Sequence, residues 1–173
     1  AGGRPYLGRG HRIPTFEALL DATAGVPLNV DIKDARPGAA EQVVQLLHRR
    51  GEAERVLLTS FYDARNAAVR RAGYRGPTGL GRNGVLRVLG LPLAVLERLR
   101  PAGDAVQIPY EVKGLGLARP AIIARCHAVG FRVDFWTVND PDAVAPLLAA
   151  GADGIMTDDP ATIVPVVRLA RPA

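Results

Sequence analysis

The segment LNVDIKD, residues 28–34, alternates apolar and polar side chains with a period of two. This period is typical of a β-strand, in which successive side chains point to opposite faces. The apolar face holds a leucine, a valine and an isoleucine, and the polar face holds Asn29, Asp31 and Lys33. A polar face of this kind either meets bulk water or lines the interior of a barrel that carries an active site.

Short apolar stretches of this kind recur along the chain and alternate with helical patterns. The predicted strands begin about 25 residues apart and cover Leu28–Lys33, Val56–Phe61, Thr78–Gly81, Ala105–Pro109, Val133–Val138 and Gly154–Thr157. A strand, a helix and two short loops need about that length, so the pattern predicts parallel βα units. The regular repeat favours a (β/α)₈ TIM barrel, as one domain over residues 1–173.

The number of predicted strands falls short of a complete barrel. A (β/α)₈ barrel takes eight strands and roughly 250 residues, whereas this chain has 173 residues and about five to six predicted βα units. The segment Ala1–Pro14 is rich in glycine and arginine and shows no strand pattern. We therefore expect an N-terminally incomplete barrel whose missing strands precede residue 1.

Helical patterns fill the spaces between the strands. They are predicted at about Thr15–Ala24, Pro37–Arg50, Ala64–Ala72, Pro92–Leu99, Arg119–Val129 and Pro141–Ala150, and a last helix starts at Asp159–Pro160. Thr15 and Asp140 are suited to cap helix N-termini through a side-chain oxygen. The glycine-rich segment Gly79–Gly84 lacks the spacing of a phosphate-binding motif, and we predict a plain loop there.

Composition narrows the classes of function. The formal net charge is +5 and the mean hydropathy is +0.08, and the arginines are scattered without interleaved aromatic residues, which argues against a nucleic-acid partner. No run of 18 apolar residues predicts a membrane span. No signal-peptide pattern is visible, so we predict a cytoplasmic protein. Cys126 is the single cysteine, and we expect it to be a small buried apolar residue.

Candidate reactive groups stand at the ends of the predicted strands, where a βα barrel carries its active site. They are Asp31, Lys33, Ser60, Phe61, Gln107, Trp136, Asn139, Asp158 and Asp159. Asp31 offers the hard oxygen that Ca²⁺ and Mg²⁺ prefer, and Lys33 could meet a phosphate oxygen as a compact cation. The plainer alternative for these two residues is a solvated acid–base pair on a strand face.

The other candidates have ordinary structural explanations. Trp136, the sole tryptophan, fits a core position better than a pocket wall on pattern alone. Asp158–Asp159 fits a loop and a helix cap. His48 and His127 lie in predicted helices, where we expect them on the outer faces. His11 stands before the first helix, and no neighbouring residue would orient it as a general base.

Longer motifs occur in a fixed order along the chain. They are RIPTFEALLDA (Arg12–Ala22), LNVDIKD, RVLLTSF (Arg55–Phe61), VDFWTVND (Val133–Asp140) and GADGIMTDDP (Gly151–Pro160). Together they resemble the glycerophosphodiester phosphodiesterase family over about residues 12–168. The resemblance implies a barrel of the phospholipase-C-like phosphodiesterase type. It also implies metal-dependent hydrolysis of small-molecule glycerophosphodiesters to an alcohol and glycerol 3-phosphate, with Mg²⁺ or Ca²⁺ as the cofactor.

The same resemblance assigns roles to single residues. Asp31 falls on the family's metal-binding glutamate, Lys33 falls on its catalytic-site lysine, and Phe61 and Trp136 would line the glycerol pocket. The family's two catalytic histidines and two further metal carboxylates have no counterpart in these 173 residues. We therefore expect a glycerophosphodiesterase that is inactive as this chain alone. The alternatives are a non-catalytic barrel remnant, stabilised as a homodimer or by a partner, and a different phosphate-binding barrel enzyme.

Overall fold

The computed structural model describes residues 8, 10, 12–112 and 115–170 and shows an α/β fold. Its strands are β1 (Leu28–Asp31), β2 (Val56–Thr59), β3 (Ala105–Pro109), β4 (Glu111–Val112), β5 (Leu115–Gly116), β6 (Arg132–Trp136) and β7 (Gly154–Ile155). Its helices are α1 (Phe16–Ala22), α2 (Ala39–Arg50), α3 (Asp63–Arg71), α4 (Arg82–Gly90), α5 (Leu93–Arg98), α6 (Pro120–Ala128), α7 (Pro141–Ala149) and α8 (Pro160–Ala170). A short 3₁₀ turn, Ala53–Arg55, precedes β2.

The main strands form one parallel series in sequence order. β1 pairs with β2, and β3 pairs with β6, which in turn pairs with β7, all in parallel. Two single bridges connect β2 to β3, one between Leu58 and Thr78 and one between Gly79 and Ala105. With helices between successive strands, this order confirms the predicted class of parallel α/β fold.

The predicted strand Thr78–Gly81 is wrong in extent, because only Thr78 and Gly79 bridge to their neighbours there. Gly79 lies so close to β2 that an added Cβ would stand 2.2 Å from the Thr59 hydroxyl oxygen. The position is therefore restricted to glycine, which brings no side-chain packing to a strand. Among the other predicted strands, Ala105–Pro109 is confirmed, and the remaining four form at the expected places but end two residues earlier than predicted. β4 and β5 form a short antiparallel pair that the sequence patterns did not predict.

The predicted loop Gly79–Gly84 is wrong at its end, because α4 begins at Arg82. The backbone N–H of Asn83 donates to Asp63 Oδ2 at 3.0 Å, and that of Gly84 donates to Asp63 Oδ1 at 3.3 Å. Asp63, at the start of α3, thus accepts hydrogen bonds from backbone N–H groups in the first turn of α4, where the N-cap residue offers no side-chain acceptor. This cap comes from another element, so no local pattern could indicate it.

The predicted helix caps at Thr15 and Asp140 are confirmed. Thr15 Oγ1 accepts from the N–H of Ala18 at 3.2 Å, and Asp140 Oδ1 accepts from the N–H of Asp142 at 3.0 Å. These bonds pair backbone donors that a helix start would otherwise leave open. Within the part of the chain that the structure describes, no helix is long and apolar enough to cross a membrane.

Two separate clusters of buried apolar side chains form the core. The N-terminal core lies between β1, β2 and the first three helices and consists of Leu20, Ile32, Ala40, Val44, Leu47, Val56, Leu58 and Val69. The C-terminal core is larger and surrounds β3 and β6, with Leu96, Ile108, Ile123, Phe131, Phe135 and Leu147 among its members. Cys126 is buried in this second core, as predicted, and burial raises the pKa of its thiol to about 11.

Candidate active site

The carboxyl ends of the parallel strands surround one cavity of about 470 Å³. Its lining residues come from β1, β2, β3, β6, the segment after β7 and the start of α4, and they are Asn29, Asp31, Lys33, Thr59, Ser60, Phe61, Leu80, Gly81, Arg82, Val85, Leu86, Gln107, Ile108, Pro109, Trp136 and Met156. Side chains from neighbouring parallel strands meet at this end of a βα barrel. The cavity is therefore the candidate active site.

Asp31 and Lys33 both line this cavity, as the alternation in LNVDIKD predicted. Burial alternates along β1, with Leu28 and Val30 partly buried and Asn29 and Asp31 exposed. Lys33 Nζ donates to Asp31 Oδ2 at 2.7 Å. The two interpretations given for this pair are therefore compatible, because the side chains form a solvated ion pair and also face the cavity.

The loop after β2 is tied to the end of β1 by buried polar side chains. The Ser60 hydroxyl donates to the carbonyl oxygen of Ile32 at 2.8 Å, and Asn66 Nδ2 donates to the carbonyl oxygen of Ser60 at 2.7 Å. Ser60 and Asn66 are each only 2% exposed, so these bonds form away from water and are strong. They hold Phe61 at the cavity wall, where its ring is 54% exposed.

Trp136 is a wall of the cavity, and its assignment to the core is wrong. Val133 and Phe135 of β6 point to the helices and are buried, whereas Trp136 lies on the opposite face and is 39% exposed. The same inward face carries Asp134, which is buried and accepts from Gln107 Nε2 at 3.2 Å. The pattern failed because a barrel strand buries both faces, so apolar character does not tell the core from the lumen.

Several residues of the cavity were not among the candidates predicted from the sequence, and they include Arg82, Val85, Leu86 and Met156. Three of them, Arg82, Val85 and Leu86, belong to α4. The sequence predicted a glycine-rich loop at Gly79–Gly84 and no helix in the residues that follow it. Met156 follows β7, and its sulfur lies 3.6 Å from Asn29 Nδ2 in β1. The apolar pair Val85–Leu86 was the available signal, but without the Asp63 cap it did not indicate a helix.

The remaining predicted candidates lie away from the cavity lining. Asn139 Oδ1 accepts from the Asp158 N–H at 2.9 Å, and Asp159 Oδ1 accepts from the Thr162 N–H at 3.2 Å, so the aspartates are loop and cap residues as expected. His48 and His127 are exposed on the outer helices, also as expected. His11 lies outside the described residues.

The residues present do not make a complete site for Mg²⁺ or Ca²⁺. Asp31 is the only carboxylate that the described part of the chain contributes to the cavity. Across the described residues there is no group of three or more His, Cys, Asp or Glu side chains that could hold a metal ion. Ca²⁺ takes six to eight oxygen ligands, and Mg²⁺ takes an octahedral set that includes at least one or two carboxylates. Asp31 can therefore supply one ligand but not a site.

Comparison with solved structures defines the class of the fold. A glycerophosphodiester phosphodiesterase from Parabacteroides distasonis aligns with a TM-score of 0.60 at 24% identity, over 83% of this chain and 58% of that one. A phosphodiesterase from Oleispira antarctica, solved with its product sn-glycerol 3-phosphate, aligns with a TM-score of 0.59 at 18% identity, over 82% of this chain and 55% of that one. At these identities the likeness concerns the fold alone, which is TIM-barrel-like.

Sequence comparison then finds relatives of the same kind. Residues 132–161 match the model of the glycerophosphoryl diester phosphodiesterase family. A Mycobacterium tuberculosis protein named "Probable glycerophosphodiester phosphodiesterase 2" is 36% identical over 161 residues, which is 90% of this chain and 60% of that protein. The chain is therefore related to the glycerophosphodiester phosphodiesterases, which are phosphoric diester hydrolases, and the predicted resemblance is confirmed. It spans about 60% of the length of the curated relatives that it matches.

Proposed function

We propose that this chain forms the phosphate- and glycerol-binding part of a glycerophosphodiester phosphodiesterase site, which hydrolyses glycerophosphodiesters to an alcohol and glycerol 3-phosphate. The observation that carries the proposal is the meeting of Asp31, Lys33, Phe61 and Trp136 at one cavity. These are the same positions at which the family resemblance places a metal ligand, a lysine and two pocket walls.

Lys33 has the chemistry to bind and stabilise the phosphodiester. Its ammonium would bind a non-bridging phosphoryl oxygen and offset the negative charge that develops there during hydrolysis. Asp31, at 2.7 Å, orients this ammonium and would also give one oxygen ligand to a divalent cation, Mg²⁺ or Ca²⁺. Phe61 and Trp136 would pack on the glycerol carbons and so hold the glycerol beside the phosphate site.

The general acid and base of the reaction would come from polypeptide beyond the described residues. Of the histidines that the structure describes, neither His48 nor His127 lines the cavity. A histidine is the usual group for proton transfer near neutral pH. We therefore propose an N-terminally incomplete barrel and expect no release of glycerol 3-phosphate from glycerophosphodiesters by this 173-residue chain alone, with either cation.

Binding of the product tests the proposal without requiring turnover. Glycerol 3-phosphate is titrated calorimetrically into the chain, into Lys33→Met and into Arg36→Met as a matched control. Arg36 is an exposed cation three residues away that pairs with Asp34 and does not line the cavity. We expect Lys33→Met to weaken binding about tenfold or more, because a charge-assisted hydrogen bond is lost, and Arg36→Met to leave it unchanged. Equal binding by all three proteins would refute the proposed role of Lys33.

A second candidate function is favoured by the edges of the sheet. Among the described strands, β1 pairs only with β2, and β7 pairs only with β6. Strand edges left unpaired favour association with another chain. A non-catalytic barrel remnant that dimerises would satisfy this tendency. Sedimentation equilibrium separates the two candidates, since a dimer that binds no glycerol 3-phosphate supports the remnant and a monomer that binds it supports the site.

A further inference from the structure

Lys33 stands beyond the end of β1, where its side chain is largely exposed. The strand ends at Asp31, and the Ile32 N–H still donates to the carbonyl oxygen of Thr59 at 2.8 Å. The Lys33 side chain is 83% exposed and pairs with Asp31. A long exposed side chain has many rotamers, so the place of its ammonium depends on how firmly the backbone beneath it is held.

Two residues of the segment that follows β2 hold the backbone on either side of Lys33. The buried Ser60 hydroxyl donates to the carbonyl oxygen of Ile32, the residue before it. Arg65 Nε of α3 donates to the carbonyl oxygen of Asp34, the residue after it, at 2.9 Å. Lys33 therefore lies between two hydrogen bonds whose donors come from outside its own strand.

Arg65 is placed for this contact by Tyr62 and not by an ion pair. Its guanidinium carbon lies 4.2 Å from the centre of the Tyr62 ring, which is a cation–π contact. None of the salt bridges between described residues includes Arg65, and its Nη1 is buried with no hydrogen-bond partner among those residues. A buried donor without an acceptor lowers stability. Stability alone therefore gives a poor account of an arginine at this position.

We propose that Arg65 is a positioning residue for Lys33, which holds the Asp34 carbonyl from outside the cavity and so places the Lys33 ammonium where the phosphate binds. The inference rests on the proposed function, because it takes the phosphate contact of Lys33 from it. Arg65 does not line the cavity, so it acts on the ligand only through the residue that it holds. Arg36 pairs with the Asp34 side chain, but that ion pair is exposed and local and adds little.

A double-mutant cycle separates positioning from a role in stability and from a general effect of charge. Glycerol 3-phosphate is titrated calorimetrically into the 173-residue chain, Arg65→Met, Lys33→Met and the double variant. Arg65→Lys, alone and with Lys33→Met, keeps the positive charge and a donor but loses the planar fork of the guanidinium. Far-ultraviolet circular dichroism shows whether each variant is folded at the temperature of the titration.

Arg70→Met is the matched control for the removal of an arginine from α3. Arg70 lies on the same helix and also donates to a distant backbone carbonyl, that of Ala102, at 3.1 Å. It does not line the cavity and holds no residue that does. Its loss removes the same charge and one hydrogen bond of the same kind, so we expect glycerol 3-phosphate to bind as it does to the wild type.

Arg65→Met should weaken binding about three- to tenfold, the range that the loss of one hydrogen bond gives, and Arg65→Lys about two- to threefold. Neither change should weaken binding further once Lys33 is methionine, because a positioning residue has no effect without the residue that it positions. If Arg65→Met does not fold, the cycle with Arg65→Lys decides in the same way.

Two results would overturn the inference and leave the proposed function standing. One is unchanged binding by the Arg65 variants. The other is an equal loss with and without Lys33, since Arg65 would then act through its charge or through the fold as a whole. If the wild-type chain binds no glycerol 3-phosphate, both proposals fail.

Discussion

The two halves of the molecule contribute different things to the cavity. The N-terminal half, with β1 and β2 over the smaller core, provides the charged residues Asp31 and Lys33. The C-terminal half, with β3, β6 and β7 over the larger core, provides most of the apolar wall, including Trp136 and Met156. The ion pair and most of the apolar wall thus belong to different packing units, and the site exists only where the two units meet.

The two halves meet in more than one place. The segment around Thr78 and Gly79 bridges to β2 on one side and to β3 on the other, and the Asp63 carboxylate of α3 accepts from the backbone at the start of α4. The Asp104 carboxylate reinforces the bridging segment by accepting from the Thr78 N–H at 2.8 Å. Backbone hydrogen bonds and the carboxylates of Asp104 and Asp63 therefore help to set the distance between the two ends of the site. The following predictions test how far the two halves behave as separate units.

Core truncations should produce the largest effects and should differ between the halves. Phe131→Ala in the C-terminal core should cost about 4 kcal/mol of unfolding free energy, and Leu47→Ala in the N-terminal core about 3 kcal/mol, because each leaves a cavity in a fully buried site. Urea unfolding is followed by Trp136 fluorescence, which reports on the C-terminal half, and by far-ultraviolet circular dichroism, which reports on both.

The unfolding midpoints measured by the two probes should differ in Leu47→Ala but not in Phe131→Ala. In Leu47→Ala the circular dichroism midpoint should fall more than the fluorescence midpoint, whereas in Phe131→Ala both should fall. Phe61→Ala, an exposed phenylalanine, is the control and should change stability by about 0.5 kcal/mol or less. Coincident midpoints in Leu47→Ala would mean that the halves unfold as one unit.

A methyl group at the junction should have an intermediate effect. Gly79→Ala places a Cβ against Thr59 and should cost about 1–3 kcal/mol through overpacking. Because the strain lies between the halves, glycerol 3-phosphate affinity should fall as well. Gly90→Ala, at the end of α4, meets nothing within 4 Å and should be neutral or slightly stabilising. If Gly79→Ala leaves both stability and binding unchanged, the junction does not set the geometry of the site.

Raising the pH above neutral should lower the stability of the C-terminal half before that of the N-terminal half. This effect should be smaller than those of the core truncations and of Gly79→Ala. Burial raises the pKa of Cys126 from 9.0 to about 11 in the C-terminal core, and that of Tyr74 from 10.0 to about 12 beside the N-terminal core. Each raised pKa means that the folded state favours the protonated group. The stability is fully present below the unfolded pKa and is lost as pH rises through the folded pKa.

The order follows from the two pH ranges over which stability is lost, which are about 9 to 11 for Cys126 and about 10 to 12 for Tyr74. Urea midpoints measured from about pH 8 upward should begin to fall above about pH 9 and fall further above about pH 10. Cys126→Ala should remove the first part of the loss and Tyr74→Phe the second. If the urea midpoint of Cys126→Ala depends on pH in the same way as that of the wild type, the buried thiol is excluded as a source of the pH dependence.

Much of the fold could be predicted from the sequence because its signals are local. Period-two alternation located β1, and start signals such as Thr15 and Asp140 located helices. The order of the family motifs predicted that Asp31, Lys33, Phe61 and Trp136 would meet. Their roles stay predictions, as do the cytoplasmic location and the absence of a nucleic-acid partner.

The rest depends on contacts between distant residues. The start of α4 needs the Asp63 carboxylate of α3, and the truncation of the third predicted strand follows from its close approach to Thr59. For the same reason the apolar wall at Val85 and Leu86 was missed. The sequence therefore indicated the charged end of the site, which lies on a regular strand, better than the apolar end, which lies on a helix capped from outside.

The two cores also follow one another along the chain without interleaving. The members of the N-terminal core lie between Leu20 and Val69, and those of the C-terminal core between Leu80 and Ile163. Because a ribosome adds about 5–20 residues per second, one core is fully synthesised several seconds before the other. β1 and β2 can thus bury their apolar faces during translation, whereas the cavity, which needs Met156, is assembled only when almost the whole chain has emerged.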